Sequence, residues 1–138
     1  MAREKNVSRE RYLIFKKKAD EYYAGMEKEY GNGRYNNCVT MGVHCTISYV
    51  DAFTVYKLGT KSSAQNHAQA INLLKDAKAL DEKEKARVCN LLSQIIEMKT
   101  PAEYEDRKIS KAEAQKTKHL CESIQKFFEK EFEKIERQ

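Results

Sequence analysis

Residues 35–58 read YNNCVTMGVHCTISYVDAFTVYKL. From Tyr35 through Tyr56 the only formal charge is Asp51, and His44 is the only other ionisable side chain besides cysteine and tyrosine. Apolar residues fall in two series at helical steps. One is Cys38, Met41, Cys45, Tyr49, Ala52 and Tyr56; the other is Val39, Val43, Ile47, Val50 and Phe53. A helix apolar over most of its circumference is buried on several sides. The stretch therefore predicts either the central helix of a bundle or a helix that also forms a subunit interface. Gly42 and Ala52 would let a neighbouring helix approach closely. Gly59 ends the helix, because glycine adopts the left-handed conformation that closes helices.

Outward on the N-terminal side, Gly31-Asn32-Gly33 is a three-residue break, short enough to turn the chain back antiparallel. Before it, Tyr12, Phe15, Ala19, Tyr22 or Tyr23, Met26 and Tyr30 recur at three- and four-residue steps and predict a helix from about Ser8 to Tyr30. On the C-terminal side, Ser62 or Ser63 can cap a shorter helix running to about Lys78, with Gln65 placed for a capping box and a stripe of His67, Ala70 or Ile71, Leu74 and Ala77. Asp81 with Glu84 opens a fourth helix through Val88, Leu92 and Ile95 or Ile96. Pro101 interrupts that pattern, so residues 99–109 read as a connection or an irregular helix end. Ser110 and Glu113 form a capping box for a last helix reaching about Glu136, with Thr117, Leu120 or Cys121, Ile124, Phe127 or Phe128, Phe132 and Ile135 inward. The expected fold is all-α: an antiparallel four-helix up-and-down bundle with one extra short helix in the crossover.

Composition agrees. The 138 residues suit one domain spanning 1–138, and one Pro with five Gly leaves few loops. A chain this long buries roughly two-thirds of its unfolded surface and needs no staples. The 34% charged and 41% hydrophobic content excludes a disordered tail and a collagen-like repeat. No stretch approaches the roughly 20 apolar residues of a membrane span, so no membrane is expected as a partner. The start, MAREKNVSRERYLIF, has no apolar signal core, and the expected location is cytoplasmic.

Charge is concentrated at one end. Residues 1–18 carry seven basic side chains against Glu4 and Glu10, which equals the net charge of +5, and the remainder is neutral. Residues 1–8 read as a mobile basic arm. Arg9, Arg11, Lys16, Lys17 and Lys18 form the best candidate nucleic-acid patch; a solvated helix start is the plainer alternative. The four cysteines, Cys38, Cys45, Cys89 and Cys121, form no CxxC pair and have no histidine at metal-finger spacing. Cys38 and Cys45 lie about 10 Å apart along one helix, beyond disulfide reach. All four read as reduced core residues, and neither a metal nor a cofactor is expected. His44, Ser48 and Asp51 share one face of the central helix. They line the floor of a pocket, which His67 could reach, or they form a polar network that fixes helix register. The eight tyrosines could stack bases, although helical spacing favours packing with hydroxyls at the rim. Gly31-Asn32-Gly33 lacks the strand–loop–helix context of a phosphate-binding loop.

Three segments carry a family resemblance. NGRYNNCVTMGVHCTISYVDAF (32–53) resembles the second helix of HEPN domains (higher eukaryote and prokaryote nucleotide-binding), entered through a G-R-Y-x-x-A turn. TVYKLGTKSSAQNHAQAINLL (54–74) resembles the Ser- and His-containing stretch that follows. MKTPAEYED (98–106) and the capped last helix resemble the A-D-Y motif and long C-terminal helix. The resemblance covers about residues 10–136. It implies a helical bundle that pairs into a homodimer. Some members are metal-independent ribonucleases, including toxins paired with minimal nucleotidyltransferases; others bind nucleotides or RNA or act as non-catalytic partners. Catalytic members carry an Arg and, four to six residues on, a His. Here Lys99 stands in the place of the Arg and Tyr104 in that of the His. Lysine lacks the planar fork that grips phosphate in two places, and tyrosine is a poor base at neutral pH. The resemblance with a degenerate motif implies a non-catalytic binding or regulatory module for a nucleotide, RNA or a partner protein, in a toxin–antitoxin or defence setting. A metal-independent ribonuclease with an atypical site, or an accessory subunit of a nucleotidyltransferase, is the alternative. The ligand candidates are His44, Asp51, His67, Lys99 and Tyr104.

Overall fold

The computed structural model describes residues 5–6, 8–62, 68–77 and 80–137. In chain order, β1 is Lys5–Asn6 and a 3-10 turn is Arg9–Arg11; α1 is Tyr12–Gly31, α2 is Tyr35–Leu58 and β2 is Thr60–Lys61. Then follow α3 at Ala68–Lys75, α4 at Glu82–Ile96, α5 at Lys99–Glu103 and α6 at Lys111–Glu136. The described chain is therefore mostly helical. Its one strand ladder pairs Lys5 with Lys61 and Asn6 with Thr60. Part of the expected mobile arm is thus tied to the start of the crossover.

Helix α2 has the boundaries that its flanking glycines dictate. Gly33 (φ 74°) and Gly59 (φ 71°) are the two described residues in the left-handed region. The α1–α2 turn is fixed by Glu29. Its carbonyl accepts from the Arg34 N–H at 2.9 Å, and its buried carboxylate accepts from Asn37 Nδ2 at 3.1 Å. Most of α2 is buried, from Cys38 to Val55, by its own chain: α1 and α6 pack along it, with α3, α5 and β2 against other parts. The apolar excess of α2 therefore needs no second subunit to cover it.

Two glycines set how closely the helices meet. A Cβ on Gly42 would stand 2.7 Å from Thr117 Cγ2 and 3.1 Å from Met26 Sδ, so only glycine lets α2 sit this near α6. A Cβ on Gly25 would stand 2.7 Å from Met41 Sδ, which rests against the α1 backbone. Further along the same seam Tyr49, Phe53, Phe128 and Phe132 are fully buried, and their rings meet at centroid distances of 5.7 to 6.3 Å. Apolar burial of this kind contributes roughly 1.5–3 kcal/mol per large side chain.

Three local expectations change. Helix α1 begins at Tyr12 rather than Ser8, after the 3-10 turn. Asp81 caps α4 by accepting from the N–H groups of Lys83 and Glu84, both at 3.1 Å, but the Glu84 side chain pairs with Arg87 instead of closing a box. Residues 99–109 form an irregular connection after α4 ends at Ile96, but Pro101 sits inside a short helix within it. Pro101 is the third residue of α5, where its missing N–H would have had no partner in the helix, and the first bond of that turn runs from the Ala102 N–H to the Met98 carbonyl at 3.1 Å. The capping box of Ser110 and Glu113 on α6 is present as expected. The helix that Ser62 is expected to cap would start among residues outside the described ones. The Ser62 hydroxyl donates to Asp51, and Ser63, Gln65 and His67 lie outside the described residues.

Candidate functional site

The short helix α5 brings Lys99 and Tyr104 together. Lys99 Nζ donates to the Tyr104 hydroxyl at 3.3 Å and lies 5.0 Å from the centre of its ring. One helical turn on from Lys99, Glu103 places one carboxylate oxygen 3.8 Å from that ammonium. Its other oxygen is 3.8 Å from His44 Nε2, which α2 presents because α5 packs against it. The His44 ring in turn stacks on Tyr22 of α1, with centroids 5.5 Å apart and planes 30° apart. Three of the five ligand candidates, His44, Lys99 and Tyr104, therefore meet around a carboxylate that the sequence reading left out.

The corner is open to solvent. Tyr104 is 71% exposed and Tyr22 38%. Beside Tyr22, the α1–α2 face holds a groove of about 420 Å³ lined by Lys18, Glu21, Tyr22, Gly25 and Met41. Tyr22 thus borders the groove and stacks on His44, which in turn faces Glu103 of α5. Among the described residues the corner offers a cation beside one carboxylate, one imidazole, and two exposed aromatic residues. The Lys99 ammonium can hold a phosphate, but as a point charge rather than a fork. The signal for Glu103 was its i, i+4 spacing from Lys99, which becomes visible only once residues 99–103 are read as helix.

Asp51 plays a different part. Its carboxylate accepts from the Ser62 hydroxyl at 2.9 Å and the Ser62 N–H at 3.3 Å, which fastens the start of the crossover to α2. Burial pushes its carboxyl above the usual range, and the Ser62 hydroxyl opposes that shift. Asp51 is thus an anchor between α2 and the crossover.

The basic patch is also redistributed. Lys16 is half-buried, pairs with Glu136 at 3.2 Å and lies 5.3 Å over the Phe132 ring, so it serves packing between α1 and α6. Arg9 lies 5.0 Å over Tyr56. Arg9, Arg11, Lys17 and Lys18 remain exposed. Lys57 and Lys61, from the far end of α2 and from β2, also lie over aromatic rings here, those of Tyr56 and Phe15.

The four cysteines are free and buried. Burial pushes the Cys38 thiol up to about 11, and raises Cys45 further, with Cys121 adding to the effect. Thiols so disposed behave as small apolar groups rather than nucleophiles. Among the described residues no group of three or more His, Cys, Asp or Glu is placed to hold a metal, and no helix is long and apolar enough to cross a membrane. Compared with protein-family models and with curated proteins, the chain matches none.

Proposed function

We propose that this chain is a HEPN-like, non-catalytic binding or regulatory module whose four long helices, α1, α2, α4 and α6, form an antiparallel up-and-down bundle. It works in the cytoplasm as a homodimer, and the α5 corner takes a phosphate of RNA or of a nucleotide. The family setting supplies a nucleotidyltransferase as the partner protein, which co-purification from the native host tests. The homodimer is tested by sedimentation at micromolar concentration, where a monomer alone counts against it.

The observation that carries the binding reading is the Lys99–Tyr104 contact at 3.3 Å, with Glu103 3.8 Å from the same ammonium. Lys99 supplies attraction, while the Arg and His of the ribonuclease motif are both replaced. Histidine is the commonest general acid–base group, and neither motif position carries one. The test is fluorescence polarisation of a labelled single-stranded RNA with purified protein. Affinity falls with added salt, because phosphate contacts release counterions. Lys99→Ala weakens binding, and the RNA stays intact throughout. Salt-insensitive binding, or none at low salt, overturns the reading.

One observation favours the ribonuclease alternative. His44 lies 3.8 Å from Glu103, the arrangement of a base beside its orienting carboxylate. RNA turnover that is abolished by both His44→Ala and Tyr104→Phe would move the protein into that class.

A further inference from the structure

We propose that the groove between α1 and α2 beside Tyr22 seats a base of single-stranded RNA next to the phosphate site at Lys99. This rests on the binding reading above and extends it from a phosphate site to a strand of at least two nucleotides.

Four features point to a base. Tyr22 is 38% exposed and its ring is held in place by its stack on His44, 5.5 Å away, so it presents a preset aromatic surface. Base–aromatic stacking tolerates any sequence, because every base has a π-face. The groove of about 420 Å³ has an apolar floor made by Met41, which reaches the α1 backbone because Gly25 has no Cβ: one built there would stand 2.7 Å from Met41 Sδ. Its polar rim is Lys18 and Glu21. Lys18 makes no ion pair among the described residues and lies only over the Phe15 ring, at 5.8 Å, so its charge is available to a backbone phosphate. Glu21 offers acceptors to an exocyclic amino group such as that of adenine. Finally, Tyr22 borders both the groove and the His44–Glu103–Lys99 chain of contacts, so a base on one side and a phosphate on the other fall on one continuous surface.

The experiment measures affinity for a labelled oligoadenylate octamer and for the matching abasic ribose-phosphate octamer. The proteins are the wild type, Tyr22→Ala, Tyr22→Phe and Lys99→Ala. Tyr22→Ala weakens the octamer roughly 5- to 150-fold, the range set by losing one stacked base, and Tyr22→Phe restores it. The abasic octamer binds the wild type more weakly than the intact one and is indifferent to Tyr22→Ala. It needs no folding control, since only the ligand changes. If Tyr22→Ala and the abasic octamer both bind like their references while Lys99→Ala still weakens binding, the phosphate site stands and the base seat is overturned. If the wild type binds neither octamer, both fall together.

Discussion

Helix α2 faces two neighbourhoods that begin two residues apart, at Gly42 and His44. Along its seam with α6, Gly42, Tyr49 and Phe53 are buried against Thr117, Phe128 and Phe132, and contact is a matter of volume. At the corner with α5, His44, Lys99 and Glu103 keep partial access to water at separations of 3.8 Å, and contact is a matter of charge. The seam leaves little room for a change of shape. The corner joins its charges through one carboxylate at 3.8 Å from each partner. The same helix can serve both because the seam is dry enough to fix the geometry on which the corner depends.

The largest expected effect tests this contrast directly. Phe128 is fully buried and meets Tyr49, Phe53, Phe127 and Phe132 at centroid distances of 5.0 to 6.1 Å. Phe128→Ala should destabilise the protein by about 3–5 kcal/mol in a urea titration. Tyr104→Ala, at the exposed corner, should stay within about 0.5 kcal/mol. Comparable losses from the two would erase the distinction. Next in size, Gly42→Ala pushes a methyl against Thr117 Cγ2 and should cost about 1–3 kcal/mol. Adding Thr117→Ser removes that Cγ2, so the double variant should be more stable than the two single losses sum to. Strict additivity would mean that the backbones, not this contact, set the spacing.

The seam was far more legible in the sequence than the corner. Helix α2 was bounded by Gly33 and Gly59, and α6 by Ser110 and Glu113, because each of these residue types has a backbone or hydrogen-bonding role at a helix end. The corner was hidden by Pro101, which reads as a break unless the helix is known to start at Lys99. The choice between Tyr22 and Tyr23 was also undecidable, since neighbouring residues are about 100° apart on a helix and both fit the stripe. Tyr23 turns inward, where burial first and then Glu27 push its phenol up to about 12, while Tyr22 faces the groove. Lys85 shows a different limit. It is buried on α4 and donates to the Lys75 carbonyl at the end of α3 at 3.0 Å, a contact set wholly by tertiary placement.

A smaller effect sharpens the corner's side of the comparison. Glu103 neutralises Lys99 and would repel an incoming phosphate. A partly covered ion pair as long as 3.8 Å is worth about 1 kcal/mol or less, so Glu103→Gln should change the urea midpoint little. It should nevertheless tighten RNA binding by about two- to fivefold, a change equivalent to about 0.4–1 kcal/mol. It should also steepen the salt dependence, because the freed ammonium contacts phosphate more fully. A variant that binds RNA more weakly would instead assign Glu103 a supporting role toward the ligand.

The smallest effect separates the two ends of α6, which starts at a polar cap and runs into the seam. Glu113 accepts from the two terminal guanidinium nitrogens of Arg107, at 3.0 and 2.9 Å, and from the Ser110 N–H at 2.9 Å. The Arg107 bonds first, and the backbone bond second, hold its carboxyl down at about 2, against an ordinary value of 4.5. A carboxyl lowered on folding contributes stability that is fully present above the unfolded value and is lost as pH falls through the folded one. The window for Glu113 therefore runs from about pH 4.5 down to about pH 2. Within it the first turn of α6 should fray, since protonation weakens the Arg107 pair and the acceptor that closes the box. The protection factors of the Glu113 and Ala114 amides, taken against the intrinsic rate at each pH, should fall across that range, and Glu113→Gln should show the lower protection already at neutral pH. The amides from Cys121 to Phe132, held in the seam, should keep their protection longer as pH falls. Simultaneous loss along the whole helix would show that cap and seam unfold as one unit, and the local contrast between polar and apolar ends would then have no thermodynamic meaning.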